Sequence, residues 1–372
     1  MNPSKGQKFI MKPEKIWLNS LTAQIDFYLR GSDRSRKDAN FNWEWFKRLP
    51  TARLIDTRRQ IKRLLRSFGG AWSQGYSKEW LQENFEKLWI TRELLADGLS
   101  RRQFDDAIIL KIVGYRRFFF PAEAFDQLIN TLGIEEFKHP TLPQKYLNSS
   151  IFKYKIILGT EVATLIATDG FIEGANSYRQ YLVHRGGVDF SPHAGDVILD
   201  CGACIGDVGL IFAMLAGENG HVHMFDPMPT HAAFCNLQIN QNPHLANRLT
   251  VIPKAVGSIS NNITSTAQTM GDIRPDAIPD ACFPFTSIDD YVSEREIRVD
   301  AIKMDIEGGE IAALQGAEET IRKYHPRLLI SSYHRIDDLW KIREAIHQID
   351  PSYKFYFGHH TPVQWESVLY AT

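Results

Sequence analysis

The stretch Val197-Ile198-Leu199-Asp200-Cys201-Gly202-Ala203-Cys204-Ile205-Gly206-Asp207 limits what this chain can fold into more than any other. Val197 to Leu199 is a short apolar run of the kind found in a buried parallel strand. It ends in an acid and then a turn holding Gly202 and Gly206. A helical pattern follows through Leu210, Ile211, Phe212, Met214 and Leu215, stopped by Gly217 and Gly220. Strand, glycine turn and helix in that order make a ligand site at the carboxyl end of the first strand of an open α/β sheet.

The glycine spacing narrows the ligand. A dinucleotide turn reads G-x-G-x-x-G and seats a pyrophosphate on the helix N-terminus. Here the pattern is D-x-G-x-x-x-G, with Asp200 and Asp207 flanking it. Two carboxylates repel a polyphosphate and attract a cation. S-adenosylmethionine, with its sulfonium and α-ammonium, is such a ligand. The next strand, His221 to Phe225, ends in Asp226, placed to accept hydrogen bonds from a ribose diol.

With 372 residues, the chain has room for two domains or one large domain with an added lobe. The net charge of −1 conceals an asymmetry: residues 1–72 hold 16 Lys/Arg and 6 Asp/Glu, about +10, which leaves about −11 for the remainder. Such a lobe suits an anionic substrate, a membrane surface or nucleic acid, but solvated basic helix faces are the favoured reading and nucleic-acid binding is not expected. Four cysteines are too few for a disulfide scaffold. Cys201 and Cys204 form a C-x-x-C, but no second pair completes a zinc site and both fall where the turn needs small side chains. Lys5, Lys8, Lys12 and Lys15 interrupt any signal-peptide pattern, and the apolar stretch Val208 to Leu215 is short of a membrane span. A cytoplasmic location with no transmembrane segment is the expectation.

Residues 1–150 read as a helical N-terminal region. One helix carries Ile16, Leu18, Leu21, Ile25 and Leu29, and a basic one carries Leu54, Ile55, Ile61, Leu64 and Leu65. A third starts at Ser77 as cap and runs to Gly98; Ser100 with Gln103 then makes a capping box for a fourth, closed by Gly114. A last helix through Phe125, Leu128, Ile129 and Leu132 stops at Gly133, and Phe118, Phe119 and Phe120 read as core packing. Pro140 and Pro143 mark the boundary to residues 151–372, which open with a hairpin around Gly159. Tyr178, Tyr181 and Arg185 lie just before the first main strand, equally suited to face a site or to pack.

From Asp196 strands and helices alternate: strands at 197–200, 221–226, 249–252, 301–306 and 328–331, and helices at 205–216, 230–240, 310–323 and 337–349. Two final strands, 353–357 and 368–370, have no helix between them, so the last runs antiparallel. The expected fold is α/β: a Rossmann-like, seven-stranded doubly wound sheet. A polar loop at 258–281 has the length of a substrate or lid element.

The fourth strand carries the second strong signal, A-I-K-M-D-I-E-G-G-E at 301–310. Ligands bind outside the carboxyl ends of such strands, so Asp305, Glu307 and Glu310 gather near Asp200 and Asp226. Acids there hold a substrate hydroxyl, act as a base or bind a divalent cation. Asp305 and Glu307 are the functional candidates, and Glu310 fits as charge complementing a helix dipole. Lys303 points to the same side as Asp305, which allows a Lys–carboxylate pair. His334 closes the fifth strand at the same edge and suits proton acceptance near neutral pH. His359 and His360 lie in a loop of unfixed position.

D-C-G-A-C-I-G-D, F-D-P-M-P, C-N-L-Q-I-N, the A-I-K-M-D-I-E-G-G-E run, S-Y-H-R-I-D-D-L and the terminal S-V-L-Y-A resemble the FkbM family over about residues 150–372. These are S-adenosylmethionine-dependent methyltransferases of the Rossmann-like class, often acting on oxygens of natural products and sugars. The resemblance implies seven strands with the last antiparallel, and a methyl-donor site lined by Asp200, Gly202, Gly206 and Asp226. Asp226 stands where many members have Glu. Ala203 and Asp207 complete the cofactor set expected from the turn, and no metal is required. Residues 1–75 match no pattern.

Taken together, these readings favour O-methylation of a hydroxyl on a small-molecule or glycan acceptor, with Asp305, Glu307 and His334 as catalytic candidates. The rivals are a partner-dependent binding module that keeps the fold, and a nicotinamide dehydrogenase, which the glycine spacing opposes. Acceptor identity and oligomeric state, a homodimer included, stay open at this level.

Overall fold

A computed structural model of the chain describes residues 12–30, 76–114, 117–118, 133–146, 149–168, 180–260, 283–361 and 364–372. The basic helix over 54–65, the helix over 125–132, Phe119, Phe120, Tyr178 and nearly all of the 258–281 loop lie outside them.

The N-terminal region contributes three described helices. In α1 (Pro13–Arg30), Trp17, Leu21 and Ile25 recur at a spacing of four and are buried on one stripe. Helix α2 (Lys78–Glu93) starts as its sequence dictates, with the Ser77 side chain accepting from the Trp80 amide. It stops at Glu93, short of the expected Gly98, because Leu95 leaves the helix to bridge Phe355 of the main sheet. The Ala96 amide donates to the Phe355 carbonyl at 2.8 Å. Helix α3 (Gly98–Val113) begins three residues, nearly one turn, earlier than a Ser100 cap would place it, since the Asp97 carboxylate captures the Ser100 amide at 2.6 Å. Phe104, Ala107, Ile108 and Leu110 of α3 are fully buried, and Phe104 meets Phe357 edge-on at 5.2 Å. Each such large apolar side chain contributes roughly 1.5–3 kcal/mol of burial.

A small antiparallel sheet follows, ordered β1 (Gly133–Tyr146), β2 (Ser149–Leu158) and β3 (Glu161–Thr168). The β2–β3 hairpin turns at Gly159, whose φ of +60° only glycine adopts cheaply. Pro140 and Pro143, read as a boundary, fall inside β1. They are tolerated there because β1 is an edge strand, with register shifts on either side of Pro140.

The main sheet holds β4 (Val197–Cys201), β5 (His221–Phe225), β6 (Leu249–Ile252), β7 (Ala301–Met304), β8 (Arg327–Ser331), β9 (Phe355–His359) and β10 (Ser367–Ala371). Its order is β9-β10-β8-β7-β4-β5-β6. Every neighbouring pair is parallel except those made by β10, which is antiparallel to both β8 and β9. The seven-stranded Rossmann-like sheet with an antiparallel last strand is therefore present. Chain direction reverses its order between β4 and β7, which opens the ligand crevice there.

Helices α4 (Asp207–Ala216) and α5 (Pro229–Gln241) share one apolar core with the β2–β3 hairpin. The N-terminal helices share the other core with α6 (Ile288–Arg295), α7 (Glu310–Gln315), α8 (Glu318–Tyr324) and α9 (Asp338–Ile349). Helix α6 was not expected; its Ser287 cap accepts from the Asp290 amide at 3.0 Å. The single helix expected over 310–323 is broken at Gly316. There the backbone passes so near Gly257 that a Cβ would sit 2.1 Å from the Gly257 carbonyl oxygen. Among the described residues no helix is long and apolar enough to cross a membrane.

Candidate active site

The glycine turn is built by backbone geometry. Gly202 has φ +84°, and a Cβ on it would lie 1.9 Å from the Asp305 carbonyl oxygen, so no other residue fits between β4 and β7. The Gly202 and Ala203 amides both donate to the Phe225 carbonyl, at 2.9 and 3.0 Å. Gly206, at φ +76°, turns the chain into α4. Asp207 opens that helix and is buried, its Oδ1 accepting from the Val208 amide.

Asp200 lies beneath the turn, fully buried, with Lys303 Nζ 3.0 Å from its Oδ1. The two residues are register partners on adjacent parallel strands, which is why the pair forms. Burial pushes the Asp200 carboxyl up, opposed by the Lys303 ammonium. Burial pushes Lys303 down, but Asp200 and Asp305 outweigh it and hold the ammonium above its ordinary value. Lys303 also donates to the Gly202 carbonyl at 2.8 Å. The pair expected between Lys303 and a carboxylate is thus made with Asp200, and it braces the turn from below.

Asp226 follows β5 and ties the turn to α5. Its Oδ2 accepts from the Cys204 amide at 2.9 Å; its Oδ1 accepts from the Met228 amide and meets His231 Nδ1, both at 2.9 Å. A carboxylate has about four lone-pair positions, so room remains for one more donor. His231 was not legible as part of this arrangement; a histidine five residues past a strand-end acid was its only mark. Burial pushes the Cys201 thiol up, away from redox reactivity.

Across the crevice, three side chains from two other segments converge on Asp305. Tyr181 Oη donates to its Oδ2 and Tyr333 Oη to its Oδ1, both at 3.2 Å. His334 Nε2 lies 3.3 Å from Asp305 Oδ1, and its Nδ1 lies 2.9 Å from Glu310 Oε1. The Glu310 oxygen also accepts from the Ile306 amide at 3.0 Å. For His334, burial acts to lower the proton affinity, but Glu310 and Asp305 outweigh it and hold the imidazolium well above its ordinary range. For Asp305, burial acts upward, and His334 and Lys303 overcome it and hold the carboxyl below the usual carboxylate range. His334 is therefore a cation clamped between two carboxylates at neutral pH.

The turn after β7 sorts the two glutamates. Glu307 takes φ +56° and Gly308 +93°, which turns the Glu307 side chain outward, 64 % exposed, with Oε2 3.8 Å from His334 Nε2. Glu310, read as dipole complement alone, is the one inside the cluster. Donor atoms of Asp305, Glu310 and His334 lie within 4.8 Å of one another, close enough for a metal ion. The two imidazole nitrogens face different carboxylates, so a cation entering here displaces the proton that joins them.

Two further acids border the cluster and were not found by sequence. Glu366, just before β10, has Oε1 3.5 Å from Tyr333 Oη; burial and Asp305 push it up to about 7, against a Gln180 hydrogen bond. Asp338, buried at the start of α9, is pushed up to about 7 by burial and Glu310. Tyr181 faces the site, whereas Arg185 turns to α3, where Nη2 donates to Gln103 Oε1. His359 and His360 are buried against Ser367 and Tyr370 at 2.9 and 2.7 Å, away from Asp305's own partners.

Residues 200–360 match the family model of the methyltransferase FkbM domain. The fold is similar to that of methyltransferase FkbM from Methylobacillus flagellatus KT, at 21 % identity and a TM-score of 0.55, covering 87 % of this chain and 71 % of that one. Fibrillarin from Aeropyrum pernix, solved with natively bound S-adenosyl-L-methionine, is a weaker likeness: 12 % identity, TM-score 0.36, 59 % of this chain and 94 % of that one. An O-methyltransferase from Bacillus cereus in complex with S-adenosylhomocysteine is likewise distant, at 14 % identity, TM-score 0.32, 47 % of this chain and 72 % of that one. No curated protein matches. Residues 200–360 are thus similar to the methyltransferase FkbM domain, and the fold is Rossmann-like, as in that solved structure.

Proposed function

We propose that this chain is an S-adenosylmethionine-dependent O-methyltransferase acting on a hydroxyl of a sugar, glycan or natural-product acceptor. The observation that carries the reading is the pairing of an acid-flanked glycine turn with a solvent-reached carboxylate, Asp305, beside it. The donor chemistry fits a cation: Asp207 and Asp226 border the turn, and the adjacent Lys303 ammonium is already committed to Asp200 and the Gly202 carbonyl. That set accepts from an ammonium and a ribose diol and repels a pyrophosphate. Bound there, S-adenosylmethionine supplies a methyl group already activated for transfer.

The protein's part is then alignment, water exclusion and proton handling. Asp305 would accept the acceptor's O–H and hold its oxygen beside the glycine turn. The proton released as the C–O bond forms passes from Asp305 towards Glu366, with the Tyr333 hydroxyl between the two carboxylates. Glu366, poised at about 7, matches the proton affinity that such a step needs near neutral pH. His334 holds Asp305 ionised rather than acting as the base. The test is methyl transfer from radiolabelled donor to a panel of polyhydroxylated acceptors, with Asp305→Asn in parallel. Labelled methyl ether that disappears in the variant supports the reading; label on nitrogen or carbon, or turnover untouched by the variant, sinks it.

A further inference from the structure

Helix α3 belongs to the N-terminal region, yet two of its polar side chains reach both segments that complete Asp305. Gln103 and Lys111 are buried and eight residues apart, about 12 Å along the helix. Gln103 Oε1 accepts from Arg185 Nη2 at 2.5 Å, and Arg185 lies four residues after Tyr181, the donor to Asp305 Oδ2. Lys111 Nζ donates to the Gln364 carbonyl at 3.3 Å. In return, Gln364 Nε2 donates to the carbonyls of Lys111 at 3.1 Å and Leu110 at 3.4 Å. Gln364 lies two residues before Glu366, whose backbone takes φ +62°, a conformation that needs holding in a residue with a Cβ. The same turn is closed by the His360 amide on the Glu366 carbonyl at 3.0 Å.

A polar side chain buried in an apolar core costs free energy unless its partner is fixed, so these contacts are unlike surface bonds that form and break freely. We propose that α3 is a positioning element of the active site: Gln103, through Arg185, sets Tyr181, and Lys111, through Gln364, sets Glu366 and with it the Tyr333 hydroxyl against Asp305. This rests on the methyl-transfer reading for its meaning, but the placement it asserts is measurable without an acceptor.

The experiment uses the full chain with tyrosine labelled with carbon-13 at ring Cζ, the two resonances assigned with Tyr181→Phe and Tyr333→Phe. Lys111→Met and Gln364→Ala are expected to move the Tyr333 resonance. Gln103→Leu is expected to move that of Tyr181, and Gln103→Glu, which keeps an acceptor for Arg185, to restore it. Lys87→Met, removing an exposed cation of α2 that lies 5.4 Å from the Trp340 ring centroid, moves neither. S-adenosylhomocysteine affinity stays within about twofold throughout, since the latch does not touch the glycine turn. Unchanged Tyr181 and Tyr333 resonances in the latch variants overturn the proposal. So does a uniform shift of all tyrosines, which marks general loosening; Gln364→Ala, at the loop end of the latch, still decides should Lys111→Met fail to fold. Absence of homocysteine-ligand binding by the unchanged chain would fell the methyl-transfer reading and leave the tyrosine result standing.

Discussion

The two halves of the crevice are made differently. On the β4 side the site is backbone: glycines at positive φ, amides bonded to Phe225, and a carboxylate pinned by Cys204 and Met228. On the β7 side it is side chains: Asp305 held by Tyr181, Tyr333 and His334, with Glu310 and Glu366 behind them. The first is local in sequence and rigid by sterics. The second is assembled from segments more than a hundred residues apart and rests on charge balance.

That contrast makes graded predictions. The largest effect belongs to Gly202→Ala, where the new Cβ meets a backbone oxygen at 1.9 Å; a loss above about 4 kcal/mol in denaturant unfolding and loss of ligand binding are expected. Gly195→Ala is the control: its φ is +89° but nothing lies within 4 Å, so only backbone strain of about 1–2 kcal/mol should appear. Equal losses at the two sites would remove the claim that close approach, and not φ alone, fixes the turn.

On the side-chain half, His334→Gln leaves Asp305 and Glu310 facing each other without their cation. Breaking such a buried pair costs about 3–5 kcal/mol, readable by the same unfolding experiment. The double variant with Glu310→Gln should recover part of it; a fully additive cycle would deny the coupling. Asp226→Ala should weaken S-adenosylhomocysteine about tenfold, about 1.4 kcal/mol, by freeing the Cys204 and Met228 amides and removing the ribose acceptor. Undiminished affinity in calorimetry would exclude Asp226 from the donor site.

The last effect is one of pH. Glu366 is raised to about 7 in the fold, above its ordinary value, so its favourable contribution is complete in acid and is lost as pH rises through 7. Glu366→Gln should flatten that decline by on the order of 1–2 kcal/mol between pH 5 and 8. An unchanged slope of stability against pH would show that Glu366 is solvated and ionised.

The same contrast explains what the sequence reveals. The turn, the seven strands and the antiparallel β10 follow from glycine spacing and alternation, both local signals. Alternation along β7 sets Lys303 on the side of Asp305, but its pairing with Asp200 depends on the register between β4 and β7, which no local signal carries. Beyond Met304 alternation fails: the left-handed turn at Glu307 throws out the glutamate that spacing favours and buries Glu310. Glu366, Tyr333 as a bridge and the α3 contacts carry no local mark, since each depends on where a distant segment docks. Leu95 shows the same limit in the scaffold, leaving a helical pattern for a partner at Phe355.

The central claim is that the acid-flanked turn binds S-adenosylmethionine and not a dinucleotide. Calorimetric titration of the full chain with S-adenosylhomocysteine, with NADH in parallel, tests it most directly. The account predicts saturable, 1:1 binding of the former and none of the latter. Binding of NADH alone, or of neither, would contradict it.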